Sequence, residues 1–299
     1  MAYLFLVLSS VSNVSKGVAS KKLSFAMRDV NDISFFYVFR MLFTAIIGAI
    51  LVLIFDGGKG FVIESRTLLL AAVVGLAFAL HCMAWIFAQH KGAYAICDAL
   101  IVASSILPII LAYFIYNEVI TVADILGYVA IVGGCVLVVL YNKQIDKKIT
   151  ISLILIYLLY MITFGLFDFG KKIFNYDIEA GVTQLSANGF TFYTFIFATV
   201  AFIIFYLFTF KKESFEYQRS IFWRELPRVA FVAVLTYVYA YLLVLAAGID
   251  ATIQYPLKNA LGLILNVIVA AIILKEKPTA RLFIGLSIII ASLVVISIF

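Results

Sequence analysis

Five ionisable residues lie in or at the edge of long hydrocarbon runs: Lys16, Arg40, Asp98, Asp168 and Lys258. A charge in such surroundings is costly unless it is paired or used. Three cations and two carboxylates suit ion pairing, proton carriage or recognition of a charged ligand. Nucleophilic or metal chemistry is not indicated. The chain has two histidines, His81 and His90, no clustered aspartates, and three cysteines, Cys82, Cys97 and Cys135, all in apolar runs without metal spacing. No cofactor, no metal and no enzymatic activity are therefore expected; an enzyme of lipid-linked substrates needs the aspartate or histidine boxes that this chain lacks. Neutral polar groups accompany the charges: Asn13 beside Lys16, and Gln254 and Asn259 around Lys258. His81 and Trp85, four apart, share one helix face, and Tyr237 and Tyr241 share another. These aromatic faces read either as a cavity wall or as helix packing.

The elements that must position these groups follow from composition. Of 299 residues, 65% are hydrophobic and 13% charged, and the mean hydropathy is +1.15. So little polar surface cannot cover a soluble globule, which makes the chain all-α and integral to a membrane. Ten apolar segments stand out, at about 2–20, 33–55, 67–89, 93–116, 122–141, 149–170, 185–210, 227–247, 252–274 and 279–299. Each approaches the roughly 20 residues that cross a bilayer as a helix. The net charge of +6 resides almost wholly in loops, so it concerns the lipid bilayer and membrane orientation, and nucleic acid is excluded as a partner. The first segment has no basic leader and contains Asn13 and Lys16, which argues against a cleaved signal. Segment five carries small residues one turn apart, Ala123 with Gly127 and Ala130 with Gly134, which permit close helix approach.

The chain repeats itself. Glu118, Thr121 and Gly127 match Glu276, Thr279 and Gly285 at an offset of 158. His81, Ala84, Trp85, Gly92 and Ala95 match Tyr237, Ala240, Tyr241, Gly248 and Ala251 at 156. This predicts two homologous five-helix halves, 1–145 and 146–299, the second inverted in the membrane because five is odd. That topology sorts the charges by depth. Lys16, Arg40 and Asp98 fall in one half of the membrane, about 7 to 10 Å from its surface at 1.5 Å per residue, with His81 a little deeper. Lys258 falls in the other half, near the depth of Asp168. The expected pairs are Arg40 with Asp98 and Asp168 with Lys258, either structural or functional. Lys16 has no acidic partner left: it favours an anionic ligand if it points inward and contributes nothing if it snorkels to the surface. Fifteen Lys and Arg lie in loops on one side, against Lys59, Arg66, Lys171 and Lys172 on the other. The positive-inside rule then places both termini outside the cytoplasm.

Ten short helices in two halves, with Ala88, Gly92, Ala93, Pro108, Glu118 and Gly127 in this spacing and Arg40 in segment two, resemble the drug/metabolite transporter superfamily, in particular its EamA-type members. The resemblance covers the whole chain. In the second half the place of Pro108 is taken by Asn266, and Pro256 lies elsewhere. The resemblance implies secondary transport of small organic solutes, among them amino acids, drugs, nucleotide sugars and organic cations, and it implies cytoplasmic termini, opposite to the charge count. Glu118 and Glu276 are similar to the family's loop-edge glutamates and read as caps.

The expectation is a transporter of a small polar or zwitterionic metabolite, such as an amino acid, working by alternating access as a multi-pass protein of the bacterial cytoplasmic membrane. Asn13 and Asn259 would supply neutral hydrogen bonds, Arg40 and Lys258 would meet an anionic group, Trp85, Tyr237 and Tyr241 would cover an apolar part, and Asp98 would carry a proton. Export of amphipathic or quaternary-ammonium cations, and a lipid or head-group flippase, are the alternatives. A homodimer is left open.

Overall fold

The computed structural model describes residues 1–24, 26–91, 100–101, 103–140, 151–272 and 280–298. Among them there is no strand. The helices are α1 (Ala2–Ser24), α2 (Val30–Phe55), α3 (Ser65–Lys91), α4 (Ile106–Tyr116), α5 (Val122–Leu140), α6 (Ile151–Glu179), α7 (Ala187–Thr209), α8 (Lys212–Leu245), α9 (Ala251–Ile272) and α10 (Ala280–Ile298). Six of the described helices, α1, α2, α3, α6, α7 and α8, are long and apolar enough to cross a membrane, and shorter apolar helices accompany them. By length and composition this is a multi-pass helical membrane protein.

Three boundaries differ from the hydropathy reading. Helix α6 runs to Glu179, well past the expected end near residue 170. Helix α8 starts at Lys212, so the basic stretch 212–226, expected as a loop, is helical. At 34 residues α8 measures about 50 Å at 1.5 Å per residue, more than the bilayer core needs. Its first turns are held by aromatic packing: Phe222 lies 4.8 Å from Phe39 and 5.9 Å from Phe35, both on α2. Helix α4 has only 11 residues, Ile106–Tyr116, and stops at Asn117, whose φ of 55° places it in the left-handed region that ends helices. Pro108 is accommodated in its first turn, where no intrahelical N–H is needed. Most of the expected segment four before Ile106, with Asp98, lies outside the described residues.

The chain divides into two compact units, each built mainly from two separate stretches of the sequence. The first comprises Tyr3–Ala79 and Gly170–Leu245. In it α2 packs along α7 and α8. A Cβ added to Gly75 on α3 would stand 2.3 Å from the Thr194 carbonyl oxygen of α7, so only glycine admits this approach. Both ends of the unit are tied by polar contacts. At one, the Gln218 amide donates to Asn31 and Asp32 at 2.7 and 3.0 Å, and Arg28 pairs with Asp32. At the other, Arg66 forks onto Asp177 at 2.7 and 3.1 Å, Glu64 accepts from Thr183 and the Gln184 N–H, and Asp56 accepts from Ser186.

The second unit comprises Leu80–Phe169 and Ala246–Phe299. Its main seam is α5 against α10. The small residues of segment five serve it as expected: a Cβ on Gly134 would meet the Gly285 carbonyl oxygen at 3.0 Å, and one on Gly127 the Ile296 side chain at 2.4 Å. Gly127 and Gly285 are two of the repeat anchors. A Glu118 carboxylate oxygen accepts the Ala251 N–H at 2.8 Å, satisfying an orphan donor at the start of α9. This is the cap role read from the sequence; Glu276 lies outside the described residues.

Candidate functional site

The candidate residues fall in both units. Asn13, Lys16, Arg40, Tyr237 and Tyr241 belong to the first; His81, Trp85, Asp168, Gln254, Lys258 and Asn259 belong to the second. Asp98, and with it the expected Arg40–Asp98 pair, lies outside the described residues.

In the first unit three basic side chains, Arg40, Lys16 and Lys171, lie along α8. Arg40 of α2 is 3% exposed. Its Nε and Nη2 both donate to the Thr236 hydroxyl, at 3.2 and 2.9 Å, and its guanidinium lies 4.8 Å from the Tyr37 ring. No carboxylate among the described residues pairs with it. Tyr239 follows Thr236 by three residues on the same face of α8, about 4.5 Å along the axis. Lys16 Nζ of α1 sits 4.3 Å from the Tyr239 ring centroid, and Lys171 Nζ of α6 sits 5.1 Å from it. Tyr239 is wholly buried, so Lys16 points inward here; the snorkelling alternative is not adopted. The Ser9 hydroxyl donates to the Tyr239 carbonyl and fixes α1 against α8. Ring faces attract ammonium and guanidinium groups placed over them.

Lys171 and Lys172 correct the charge count. They were expected at the end of segment six, in a loop, but α6 continues through them and they are 2% and 1% exposed. Lys172 Nζ lies 5.3 Å from the Tyr176 ring. The buried carboxylates Asp32, Asp177 and Glu225 of this unit are engaged by Arg28, Arg66, and Arg224 with Arg228 respectively. Tyr237 donates to Asn188 at 2.7 Å and stacks on Tyr241, with ring centroids 5.8 Å apart and planes at 15°. Asn188 also contacts Asp56, so Tyr237 belongs to a polar network. Asn13 is half-buried on α1.

In the second unit Asp168 of α6 and Lys258 of α9 form an ion pair, 2% and 3% exposed. The pairing read from membrane depth is the one found. Rings surround it: Lys258 Nζ lies 4.7 Å from Phe164 and 5.7 Å from Tyr255, whose hydroxyl donates to the Asp168 carbonyl at 3.2 Å. His81 packs on Tyr160 at 4.7 Å and on Phe164 at 4.6 Å. Trp85 packs with Ala84, Leu153, Tyr157 and Tyr160, an apolar cluster. Asn259 donates its amide to the Ile101 carbonyl at 3.0 Å, while its Oδ1 and Gln254 Oε1 accept no hydrogen bond from the described residues, although both residues are at least 97% buried.

Sequence reasoning missed Lys171, Thr236 and Tyr239. The lysine was visible as a charge but assigned to a loop; the threonine and tyrosine carry no signal until α2, α6 and α8 are brought together.

No family model and no curated protein matches this chain. Twenty-eight solved chains match it in fold. One crystal structure of a protein superposes with a TM-score of 0.69, covering 98% of this chain and 95% of its own, at 11% identity. That likeness concerns the fold alone.

Proposed function

We propose that this protein is a secondary transporter that moves a small polar or zwitterionic metabolite across a membrane by alternating access. The observation that carries the reading is Arg40, a buried guanidinium in a spanning helix that is held by a hydroxyl and a ring rather than by a described carboxylate. Such a group is desolvated at a cost and kept ready for an anion. Lys16 and Lys171 lie at the Tyr239 ring, one turn along α8. A carboxylate or phosphate on the solute suits Arg40, and a quaternary ammonium ion does not. The division into two inverted five-helix repeats, and the likeness to the drug/metabolite transporter superfamily, belong to the same proposal. They rest on the offsets of 158 and 156 and on the spacing from Ala88 to Gly127.

The test is counterflow in proteoliposomes, preceded by thermal shifts of the purified protein with amino acids, sugar phosphates, nucleosides and quaternary amines. A ligand of the folded state raises the melting temperature. Stabilisation and counterflow by a solute bearing a carboxylate or phosphate, both weakened at least tenfold in Arg40→Met, are expected. Stabilisation by hydrophobic cations alone would overturn the reading.

A further inference from the structure

We propose that the exposed side of α8 from Arg219 to Arg228 is a docking surface for anionic phospholipids, whose phosphates the arginines hold while Trp223 is seated at headgroup level. The proposal goes beyond the transport reading and does not depend on it.

The surface follows from the register of α8. Ser214, Gln218, Ile221, Glu225 and Val229 recur at steps of three and four and are all buried, which fixes the inward side of the helix. The exposed side presents Arg219 and Trp223 one turn apart, with Arg224 and Arg228 one turn apart beside them. Trp223 is 77% exposed; its ring meets Phe222 edge-on at 5.3 Å, and Phe222 packs in turn on Phe39 of α2. A large indole is thus held outward among guanidinium groups. From residue 217 to residue 228 the chain has one carboxylate, Glu225, and it is turned inward, 1% exposed. Glu225 bonds to both Arg224, at 2.9 Å, and Arg228, at 2.7 Å, so one negative charge faces two positive ones. The two arginines still leave 67% and 57% of their side chains exposed. Arg219 is exposed and forms no ion pair with a described carboxylate. The exposed carboxylates of α8, Glu213 and Glu216, lie in its first turns, farther from the apolar run.

Depth agrees with this charge pattern. The apolar run of α8 begins near residue 227. At 1.5 Å per residue Arg228 stands at its edge and Trp223 about 6 Å before it, within the headgroup layer that adds roughly 5–8 Å to each side of the hydrocarbon. Tryptophan favours that level, where its ring is half in apolar surroundings and its N–H is wet. Arginine presents a planar fork that matches a phosphate. Anionic lipid supplies the phosphate, the net negative charge and the apolar cover for the indole together, and a zwitterionic lipid lacks the net charge.

The experiment uses the full-length protein in detergent, titrated with phosphatidylglycerol or with phosphatidylcholine of the same acyl chains. Native mass spectrometry counts the bound lipids, and melting temperature is followed in parallel. The wild type is expected to bind phosphatidylglycerol at least about tenfold more tightly, since each basic side chain near an anionic surface favours it by a factor of about five. Arg219→Gln/Arg224→Gln is expected to bring the two lipids within about threefold. Salt near 1 M, where the Debye length is about 3 Å, is expected to do the same to the wild type. Trp223→Ala should weaken both lipids to a similar degree, and Lys59→Gln, at an exposed lysine of the α2–α3 turn, should change neither. Equal binding of the two lipids by the wild type would overturn the proposal, as would a preference that the arginine variant keeps or that Lys59→Gln also loses. Stabilisation by glycerol phosphate as strong as by the whole lipid would overturn it too, by making the surface a site for soluble phosphate esters. The first comparison is made on the wild type, so the proposal is exposed even if a variant fails to fold.

Discussion

Asp168 on α6 and Lys258 on α9 are ion-paired although 90 positions apart in sequence, and each leaves 3% or less of its side chain exposed. Removing one partner alone takes from the other the buried counter-charge bonded to it. Asp168→Asn and Lys258→Met should each destabilise the protein by about 3–5 kcal/mol. The double variant Asp168→Leu/Lys258→Met, apolar on both sides, should recover most of that loss. Thermal unfolding in one detergent compares the three, and a double variant less stable than either single one would contradict the assignment.

Arg40 poses the opposite case. Its described partners are a hydroxyl and a ring, so its replacement by an apolar chain strands no carboxylate among them. Arg40→Met should change stability by less than about 1 kcal/mol while abolishing most substrate-dependent stabilisation. Arg40→Lys should not rescue binding, since a lysine cannot present two N–H groups to Thr236 in the fork geometry. Melting curves with and without solute separate the two effects.

Glu118 caps α9 from outside it. Glu118→Ala leaves the Ala251 N–H without that acceptor and should cost about 0.5–2 kcal/mol, the usual range for a lost cap. Faster amide exchange confined to the first turns of α9, with counterflow per folded molecule unchanged, is the expected signature of a cap rather than a ligand.

Two glycines make a matched pair. At Gly75 an added methyl group meets the backbone oxygen of Thr194 at 2.3 Å; at Gly133 nothing among the described residues lies within 4 Å. Gly75→Ala should destabilise by about 1–3 kcal/mol through overpacking. Gly133→Ala should be neutral or stabilising by up to about 1 kcal/mol, because alanine favours helix. Thermal melting of both variants checks the contrast.

Acid should loosen one tie of the first unit. The Thr183 hydroxyl, then the Gln184 N–H and the Thr67 hydroxyl, hold the Glu64 carboxyl below its ordinary value of 4.5. A carboxylate whose pKa is depressed by folding contributes stability above its unfolded pKa and loses it as pH falls through the folded one. The contribution of Glu64 should therefore be intact at neutral pH and disappear on acidification below about pH 4.5. In Glu64→Gln that acid-sensitive component should be absent. Melting temperature followed from pH 7 to pH 3 in both proteins is the measurement.

Much of this molecule was legible before its structure, and the residues show why. Hydropathy is a sum of local transfer free energies, so the membrane class and most helix positions follow from composition along the chain. Helix rise per residue turns position into depth, which is how Asp168 was matched to Lys258, and the spacing of small residues announced the close seam of α5 with Gly285 of α10. Glu118 at a segment edge read correctly as a cap. The same local sum failed where distant groups compensate a charge. Lys171 and Lys172 looked like the end of a helix because a window of neighbours cannot register the rings of Tyr239 and Tyr176, which keep their ammonium groups inside. The basic stretch from Lys212 looked like a loop because its helix is stabilised by packing on Phe35 and Phe39 of α2. Sequence determined which residues are costly to bury; only tertiary structure decided which of them are buried, because the groups that offset the cost come from other helices.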